Sequence, residues 1–252
     1  MSRMKCGLLG KTLGHSRSPE IHARLGDYEY RLYEKREEEI PAFLRDGDWQ
    51  GMNVTIPYKK TVVPYLQELS PAAAALGSVN TIVRRADGTL FGDNTDVAGF
   101  EAMVRFYGID LTGRKTLVLG SGGASAAVRE ALRRLGAGPV TVISRSGEDN
   151  YENLERHADA RAVVNTTPVG MHPHPDASPL DLRRLPACEA VVDIIYNPPE
   201  TMLTRQAAAL GLTWCTGLYM LVAQAKRSAE LFLGEELPEE ITGEIYREMS
   251  EE

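Results

Sequence analysis

A chain of 252 residues, 43% apolar and 25% charged, has the composition of an ordinary folded protein and can bury one large core or two modest ones. Its formal net charge of -7 speaks against a general nucleic-acid binder, which needs a basic surface to displace counterions from phosphates. Cys6, Cys188 and Cys215 are few, widely spaced and set among apolar neighbours, which excludes a disulfide framework.

With no CxxC pair, these thiols read as buried and reduced. No leading apolar run resembles a signal peptide, and none is long enough to span a bilayer. A cytoplasmic protein with no membrane partner is therefore expected.

Residues 1–97 read as alternating strands and helices. Cys6 to Leu9 is a short apolar run, Tyr28 to Tyr33 alternates as a half-buried strand does, and Met52 to Ile56 is a third strand. Ile82 and Val83, then Leu90 and Phe91, flank Ala86-Asp87-Gly88 as the arms of a hairpin flank its turn. Ser18 followed by Pro19, and Ser70 followed by Pro71, are signals for helix starts.

Polar loops in this first segment hold candidate functional groups. Ser16 and Ser18 stand two apart, so in an extended segment their hydroxyls point the same way and could hold one carboxylate. Equally, Ser18 is only a cap and Ser16 only a loop residue. His15 is a lone loop histidine and receives no role. The strand from Met52 runs into a proline turn carrying Lys59 and Lys60, where a lysine is ordinarily solvated. Gly92 to Gly99 is a polar loop before a helix, with Asp96 placed as an N-cap would be.

Thr116 to Leu135 has the strongest pattern. An uncharged run, TLVLG, leads into a glycine cluster and then a segment with Ala124, Ala127, Val128, Ala131, Leu132 and Leu135 at helical spacing. Such a strand, turn and helix suit a dinucleotide-binding fold. Gly120 makes the bend, Gly122 lets backbone approach a pyrophosphate, and the helix start faces the anion. Ser125 stands at the sixth position of the G-x-G-x-x-G pattern. A flexible loop is the alternative for a glycine cluster taken alone.

Gly136 and Gly138 then stop the helix, and Pro139 to Ile143 forms the next strand. It ends in Ser144, Arg145 and Ser146, where an NAD-selecting protein usually places an acid and an NADP-binding one an arginine. NADP is favoured, through guanidinium pairing with the 2'-phosphate. A solvated arginine tempered by Glu148 and Asp149 is the alternative. Reduction of a ketone by hydride also needs a proton at the oxygen. A lysine beside an aspartate can deliver it, although spacing does not show that Lys59 and Asp96 meet.

Ala162 to Val164 and Ala190 to Ile195 continue the strand series, Tyr219 to Leu233 reads as a helix, and the Glu-rich last fifteen residues read as a solvated helix. His172-Pro173-His174 lacks a third ligand and sits in a stiff proline loop, so no metal is expected.

Taken together, HSRSPEIH (15 to 22), NVTIPYK (53 to 59), GSVNTI (77 to 82), GDNTD (92 to 96), LGSGGAS (119 to 125), NTTPVGM (165 to 171), DIIYNP (193 to 198) and GLYMLVAQA (217 to 225) closely resemble the shikimate dehydrogenase family. The pieces keep the family's order. The resemblance implies an α/β chain in three parts. These are a substrate-binding domain over residues 1–97, a doubly wound NADP-binding domain of the Rossmann type over 98–216, and C-terminal helices over 217–252 that pack back on the first domain. It implies reversible, NADPH-dependent reduction of 3-dehydroshikimate to shikimate in aromatic amino-acid (chorismate) biosynthesis, by a monomer or homodimer.

By the same resemblance Lys59 and Asp96 are the catalytic pair. Ser16 and Ser18 hold the substrate carboxylate, Asn80, Asp96 and Gln224 bind the ring hydroxyls, and Thr55 and Tyr196 complete the pocket. Gly120, Ser121, Gly122, Gly123 and Ala124 hold NADP together with Ser144, Arg145 and Ser146, while Ile194 and Gly217 lie along the nicotinamide half. The chain departs from the usual pattern in having one basic residue after the second nucleotide-domain strand, Thr216 for an aspartate, and Pro71 for an acid nine positions before Asn80. Two alternatives follow: a quinate/shikimate dehydrogenase preferring NAD, and a dinucleotide-binding regulatory module without turnover.

Overall fold

The computed structural model describes residues 3–14 and 16–251, so His15 lies outside it. The chain divides into two compact units. One takes the residues up to Ala98 together with Val222–Met249, the other Gly99–Leu221 with the residues from Ser250.

The first unit is built around a six-stranded mixed sheet. In chain order it contains β1 (Lys5–Gly10), α1 (Ser18–Leu25), β2 (Glu29–Glu34), α2 (Ile40–Asp46), β3 (Gly51–Val54), β4 (Glu68–Leu69), α3 (Pro71–Leu76), β5 (Thr81–Arg84), β6 (Leu90–Asp93) and the start of α4 (Asp96–Phe106). The strands lie in the order β2-β1-β3-β5-β6-β4. β1 pairs in parallel with β2 and β3, and β5 runs antiparallel to β3 and β6. The expected hairpin is present, with Val83 opposite Phe91 and Gly88 at φ 86 in its turn. Leu9, Met52, Val54, Ile82 and Leu90 from the sheet pack with Ile40, Leu44, Trp49 and Tyr58 in one core.

Three local expectations in this unit need adjusting. Ser18 is the first helical residue of α1, and the N-cap position belongs to Arg17, whose side chain makes no cap bond. Because Arg17 is in the αR region (φ -82, ψ -1), Ser16 and Ser18 do not share an extended segment. The Ser16 Oγ instead accepts the Ser18 N–H at 3.2 Å. Ser70 does cap α3, accepting the Ala73 N–H at 3.1 Å. The C-terminal helix α8 (Glu240–Ser250) forms, but it buries Thr242, Ile245 and Met249 along one face.

The second unit holds a five-stranded, all-parallel sheet. The rest of α4 leads to β7 (Thr116–Leu119), α5 (Gly123–Arg134), β8 (Val140–Ile143), β9 (Ala162–Asn165), β10 (Ala190–Asp193), α6 (Met202–Ala209), β11 (Thr213–Cys215) and the start of α7 (Leu218–Leu233). Strand order is β11-β10-β9-β7-β8. β7, β9 and β10 are buried along their whole length, as strands covered on both faces must be. Leu117, Leu119, Ile143, Val163 and Val191 make the sheet's share of the core, with Leu203 and Ala207 from α6. Along α5 the buried stripe is Ser125, Ala127, Val128, Ala131 and Leu132, so Ser125 takes the place expected for Ala124. Among the described residues no helix is long and apolar enough to cross a membrane.

β10 ends in a fully buried carboxylate. Asp193 Oδ1 accepts from Asn165 Nδ2 and from the Ile195 N–H, both at 3.1 Å, and Oδ2 accepts the Thr201 hydroxyl at 2.8 Å. Burial, opposed by these donors, pushes the Asp193 pKa from near 3.8 up to about 6. A raised carboxyl pKa means that the folded state favours the protonated form. Its contribution to stability is complete below the unfolded pKa and is lost as pH rises through the folded one. Denaturant melts from pH 4 to 7.5 should therefore show the wild type losing about 2 kcal/mol that Asp193→Asn does not lose. Parallel pH profiles for the two proteins would contradict this.

Candidate functional site

In the first unit the chain leaving β3 is pinned at both ends of a short loop. Thr55 N–H donates to the Leu9 carbonyl at 2.9 Å, and the buried Tyr58 donates its hydroxyl to the Lys35 carbonyl at 2.6 Å. Lys59 follows, and its carbonyl accepts the Val79 N–H at 2.8 Å, tying this loop to the segment entering β5. Lys59 is therefore held by backbone that serves two strands.

Its ammonium donates to Asp96 Oδ2 at 2.6 Å, and Asn80 Nδ2 donates to Asp96 Oδ1 at 3.0 Å. Both carboxylate oxygens are engaged. The pair is largely shielded, the side chains being 26% and 16% exposed. Asp96 lies in the first turn of α4, where the helix dipole favours a negative charge. Lys59, Asp96 and Asn80, three of the residues singled out in the sequence, thus form one constellation.

Asn80 is itself fixed in orientation. Its Oδ1 accepts the Thr95 N–H at 2.8 Å and the Thr81 hydroxyl at 3.0 Å, and its Nδ2 donates to Thr95 Oγ1 at 3.0 Å as well as to Asp96. Behind it lies a further layer with no counterpart among the candidates read from the sequence. Asn53, in the middle of β3, accepts the Tyr30 hydroxyl at 2.8 Å and donates to Ser228 Oγ at 2.8 Å and Thr81 Oγ1 at 3.2 Å. One signal for it existed: an amide between Met52 and Val54 in a buried strand demands partners. Burial drives the Tyr30 phenol well above its usual pKa, against a lowering hydrogen bond from Ser18. Thr55, Ser16, Ser18 and Gln224 are half-buried.

In the second unit the chain after β7 goes first to β8 on one side and then to β9 on the other. Such a reversal opens a crevice at the carboxyl ends of the two central strands, where ligands bind in open α/β sheets. Gly120 follows β7 with φ 98, and a Cβ there would lie 2.9 Å from Thr167 Cγ2 and 3.1 Å from Thr166 Oγ1. Only glycine fits this bend. The opposing loop is ordered by Asn165, whose Oδ1 accepts the Thr167 N–H at 3.0 Å and its hydroxyl at 2.7 Å, and by Thr166, which donates to the Leu119 carbonyl at 2.6 Å.

Ser121 is exposed, Gly122 is the N-cap of α5 without a side-chain cap bond, and Gly123 and Ala124 open the helix. A Cβ at Gly122 or Gly123 would meet nothing within 4 Å. The protein itself therefore does not require glycine there, whereas an anion drawn close to the uncapped N–H groups does. Ser125 Oγ is buried beside this turn without a partner among the described residues. These features fit a pyrophosphate.

At the end of β8, Arg145 and Ser146 are exposed, Ser144 is half-buried, and Arg145 forms no ion pair among the described residues. The nearby Asp149 carboxylate bonds His157 Nε2 at 2.7 Å. Glu148 is exposed. Ile194 and Gly217 are in contact: Gly217 donates its N–H to the Ile195 carbonyl at 2.9 Å, and any Cβ on it would run into the Ile194 carbonyl. Tyr196 follows half-buried after β10. Among the described residues no group of three or more His, Cys, Asp or Glu side chains could hold a metal ion, and His172 and His174 are exposed.

Residues 8–82 match the family model described as the shikimate dehydrogenase substrate binding domain. The chain is 39% identical to the shikimate dehydrogenase (NADP(+)) of Synechococcus sp. (strain JA-3-3Ab), with 96% of this chain and 92% of that protein covered. Among solved structures it is similar to a chorismate mutase/shikimate 5-dehydrogenase fusion protein from Clostridium acetobutylicum, with a TM-score of 0.94, 33% identity, and 100% and 98% of the two chains covered. Shikimate 5-dehydrogenase from Thermus thermophilus, solved in complex with NADP(H) and shikimate, superimposes with a TM-score of 0.87 at 34% identity over 97% of this chain and 99% of that one. With the fold, the glycine turn and the lysine, aspartate and asparagine constellation in place, these likenesses mean that the chain belongs to the shikimate dehydrogenase family.

Proposed function

We propose that this protein interconverts 3-dehydroshikimate and shikimate with NADP, as a monomer or homodimer in the cytoplasm. The carrying observation is the Lys59 and Asp96 ion pair, locked by Asn80. When bound, NADPH supplies the hydride for reduction of the C3 carbonyl. Lys59 donates a proton to the C3 oxygen as hydride reaches C3, so that C=O becomes CH–OH, and the same groups serve the reverse direction. Asp96 keeps the ammonium aimed and, with Gln224, binds the ring hydroxyls; Asn80 meets a ring hydroxyl by sharing an N–H that it gives to Asp96 or Thr95. Ser16 and Ser18 hold the ring carboxylate, and Thr55 and Tyr196 are assigned to the substrate as well.

The dinucleotide belongs to the second unit. Gly120, Ser121, Gly122, Gly123 and Ala124 hold its pyrophosphate at the start of α5, Ser144, Arg145 and Ser146 its 2'-phosphate, and Ile194 and Gly217 its nicotinamide half. Support for a reducing compartment comes from Cys6, Cys188 and Cys215, all buried and free. Burial raises the Cys6 and Cys215 thiols to about 12 and Cys188 to about 11, which keeps them unreactive. A regulatory module would need neither Lys59 nor Asp96.

Absorbance at the reduced-nicotinamide band, with shikimate or quinate and with NADP+ or NAD+, tests the proposal. Turnover is expected with shikimate and NADP+. Faster turnover with quinate and NAD+ would favour the quinate dehydrogenase reading, and none with any pair the regulatory one. Lys59→Ala should lower kcat by about 10²–10⁴-fold and leave shikimate binding nearly unchanged. Removing a charge-assisted bond to phosphate, Arg145→Ala should raise the KM for NADP+ about tenfold or more and spare the KM for NAD+. An equal effect on both cofactors would take Arg145 out of 2'-phosphate recognition.

A further inference from the structure

We propose that Ser228 is a positioning residue for the Asp96 carboxylate, acting through a hub of buried hydroxyls that fixes Asn80. This deepens the proposed dehydrogenase function and rests on it. Ser228 lies in the middle of α7, one turn after Gln224, and is fully buried. A helix-interior serine usually does no more than return a bond to the carbonyl four residues back. Ser228 makes that bond, donating to the Gln224 carbonyl at 3.0 Å. Its oxygen also accepts from Asn53 Nδ2 at 2.8 Å and lies 2.8 Å from Thr81 Oγ1 and 3.1 Å from Thr95 Oγ1.

Four polar partners surround a group with one proton and two lone pairs. They come from β3, β5, the approach to α4, and α7 itself. Thr81 and Thr95 are the two residues that hold the Asn80 amide: Thr81 through its hydroxyl, Thr95 through its N–H and its hydroxyl oxygen. With both Asn80 N–H protons committed to Thr95 and Asp96, the amide cannot turn without breaking a bond to the carboxylate. The Ser228 proton goes to Gln224 and the Thr81 proton to Asn80, so Ser228 acts by accepting the Thr95 hydroxyl; Thr95 so oriented holds the Asn80 amide, and the amide sets Asp96 Oδ1 opposite the oxygen that holds Lys59. The same hydroxyl fixes the turn of α7 that carries Gln224.

Replacing Ser228 by alanine leaves the Asn53 donor buried without its 2.8 Å partner and frees the Thr95 hydroxyl to rotate. The expected result is a fall in kcat for shikimate oxidation of about tenfold, the effect of one buried hydrogen bond, with the KM for NADP+ unchanged. Ser228→Thr, which keeps a hydroxyl, should recover most of the rate. In an Asn80→Ala background, Ser228→Ala should cost little more, because the path to Asp96 is already cut. If Ser228→Ala does not fold, Ser228→Cys, similar in shape but a weak acceptor, carries the same expectation. Unchanged kcat in a folded variant, or a loss fully additive with Asn80→Ala, overturns the assignment while the wild type remains an active dehydrogenase. An inactive wild type overturns the parent reading with it.

Discussion

An ammonium and a carboxylate, 37 residues apart in the chain and 2.6 Å apart in space, set the terms for the rest of the first unit. Ion pairs of this partial exposure add little to stability, since desolvation and side-chain ordering offset the Coulomb gain. What the surrounding structure maintains is therefore geometry. The Lys59 carbonyl is bonded to the strand entry that bears Asn80, and the Asp96 backbone begins a helix immediately after β6. An antiparallel β5 and β6 bring those two points together, with Thr81 opposite Asp93. The hairpin, a modest element by itself, is what makes the lysine and the aspartate neighbours.

Much of this fold could be read from periodicity, and the limits of that reading have physical causes. The strand, turn and helix from Thr116 onward are visible because burial on both sides of a parallel sheet demands an uncharged run and a one-sided helix. Ser125 in place of Ala124 on the buried stripe of α5 is a shift of one position at its first turn, where both residues are small, so a hydrophobic pattern does not resolve it. Composition hides the packed face of the C-terminal helix for a related reason. Glutamates dominate it, yet Ile245 and Met249 stand four apart on the face that packs. Ser18 illustrates a different limit: caps drift by a residue when the preceding residue is already helical, as Arg17 is.

Polar partnership was the least legible feature. Asn53 and Ser228 are separated by 175 residues, and nothing in the local sequence of either names the other. A buried amide or hydroxyl signals that a partner exists, because an unsatisfied one costs about 1–3 kcal/mol, but not where it is. Lys59, Asp96 and Asn80 became legible through eight short matching segments, not through spacing. Even so, those segments assigned roles only to groups expected to face ligands. The hydroxyl layer behind them, Thr81, Thr95 and Ser228, emerges only when side chains are placed.

In the proposed assignment the two units meet their ligands by different means, and the difference bears on what family membership can fix. In the first, side chains hold side chains in a buried network, so under the proposed role of Ser228 a change at one member would propagate to the Lys59 and Asp96 pair. In the second, backbone does the work: Gly120 needs its positive φ, Gly217 lies flat on Ile194, and the start of α5 presents N–H groups. Backbone recognition of a pyrophosphate is common to NAD and NADP. In the proposed assignment the discriminating group is a single exposed arginine on a loop anchored by an Asp149 to Ser144 backbone bond and the His157 contact, outside the packed core. Selection of the 2'-phosphate would thus rest on residues that neither the core nor the buried network constrains, so cofactor preference can shift within a family whose chemistry stays fixed.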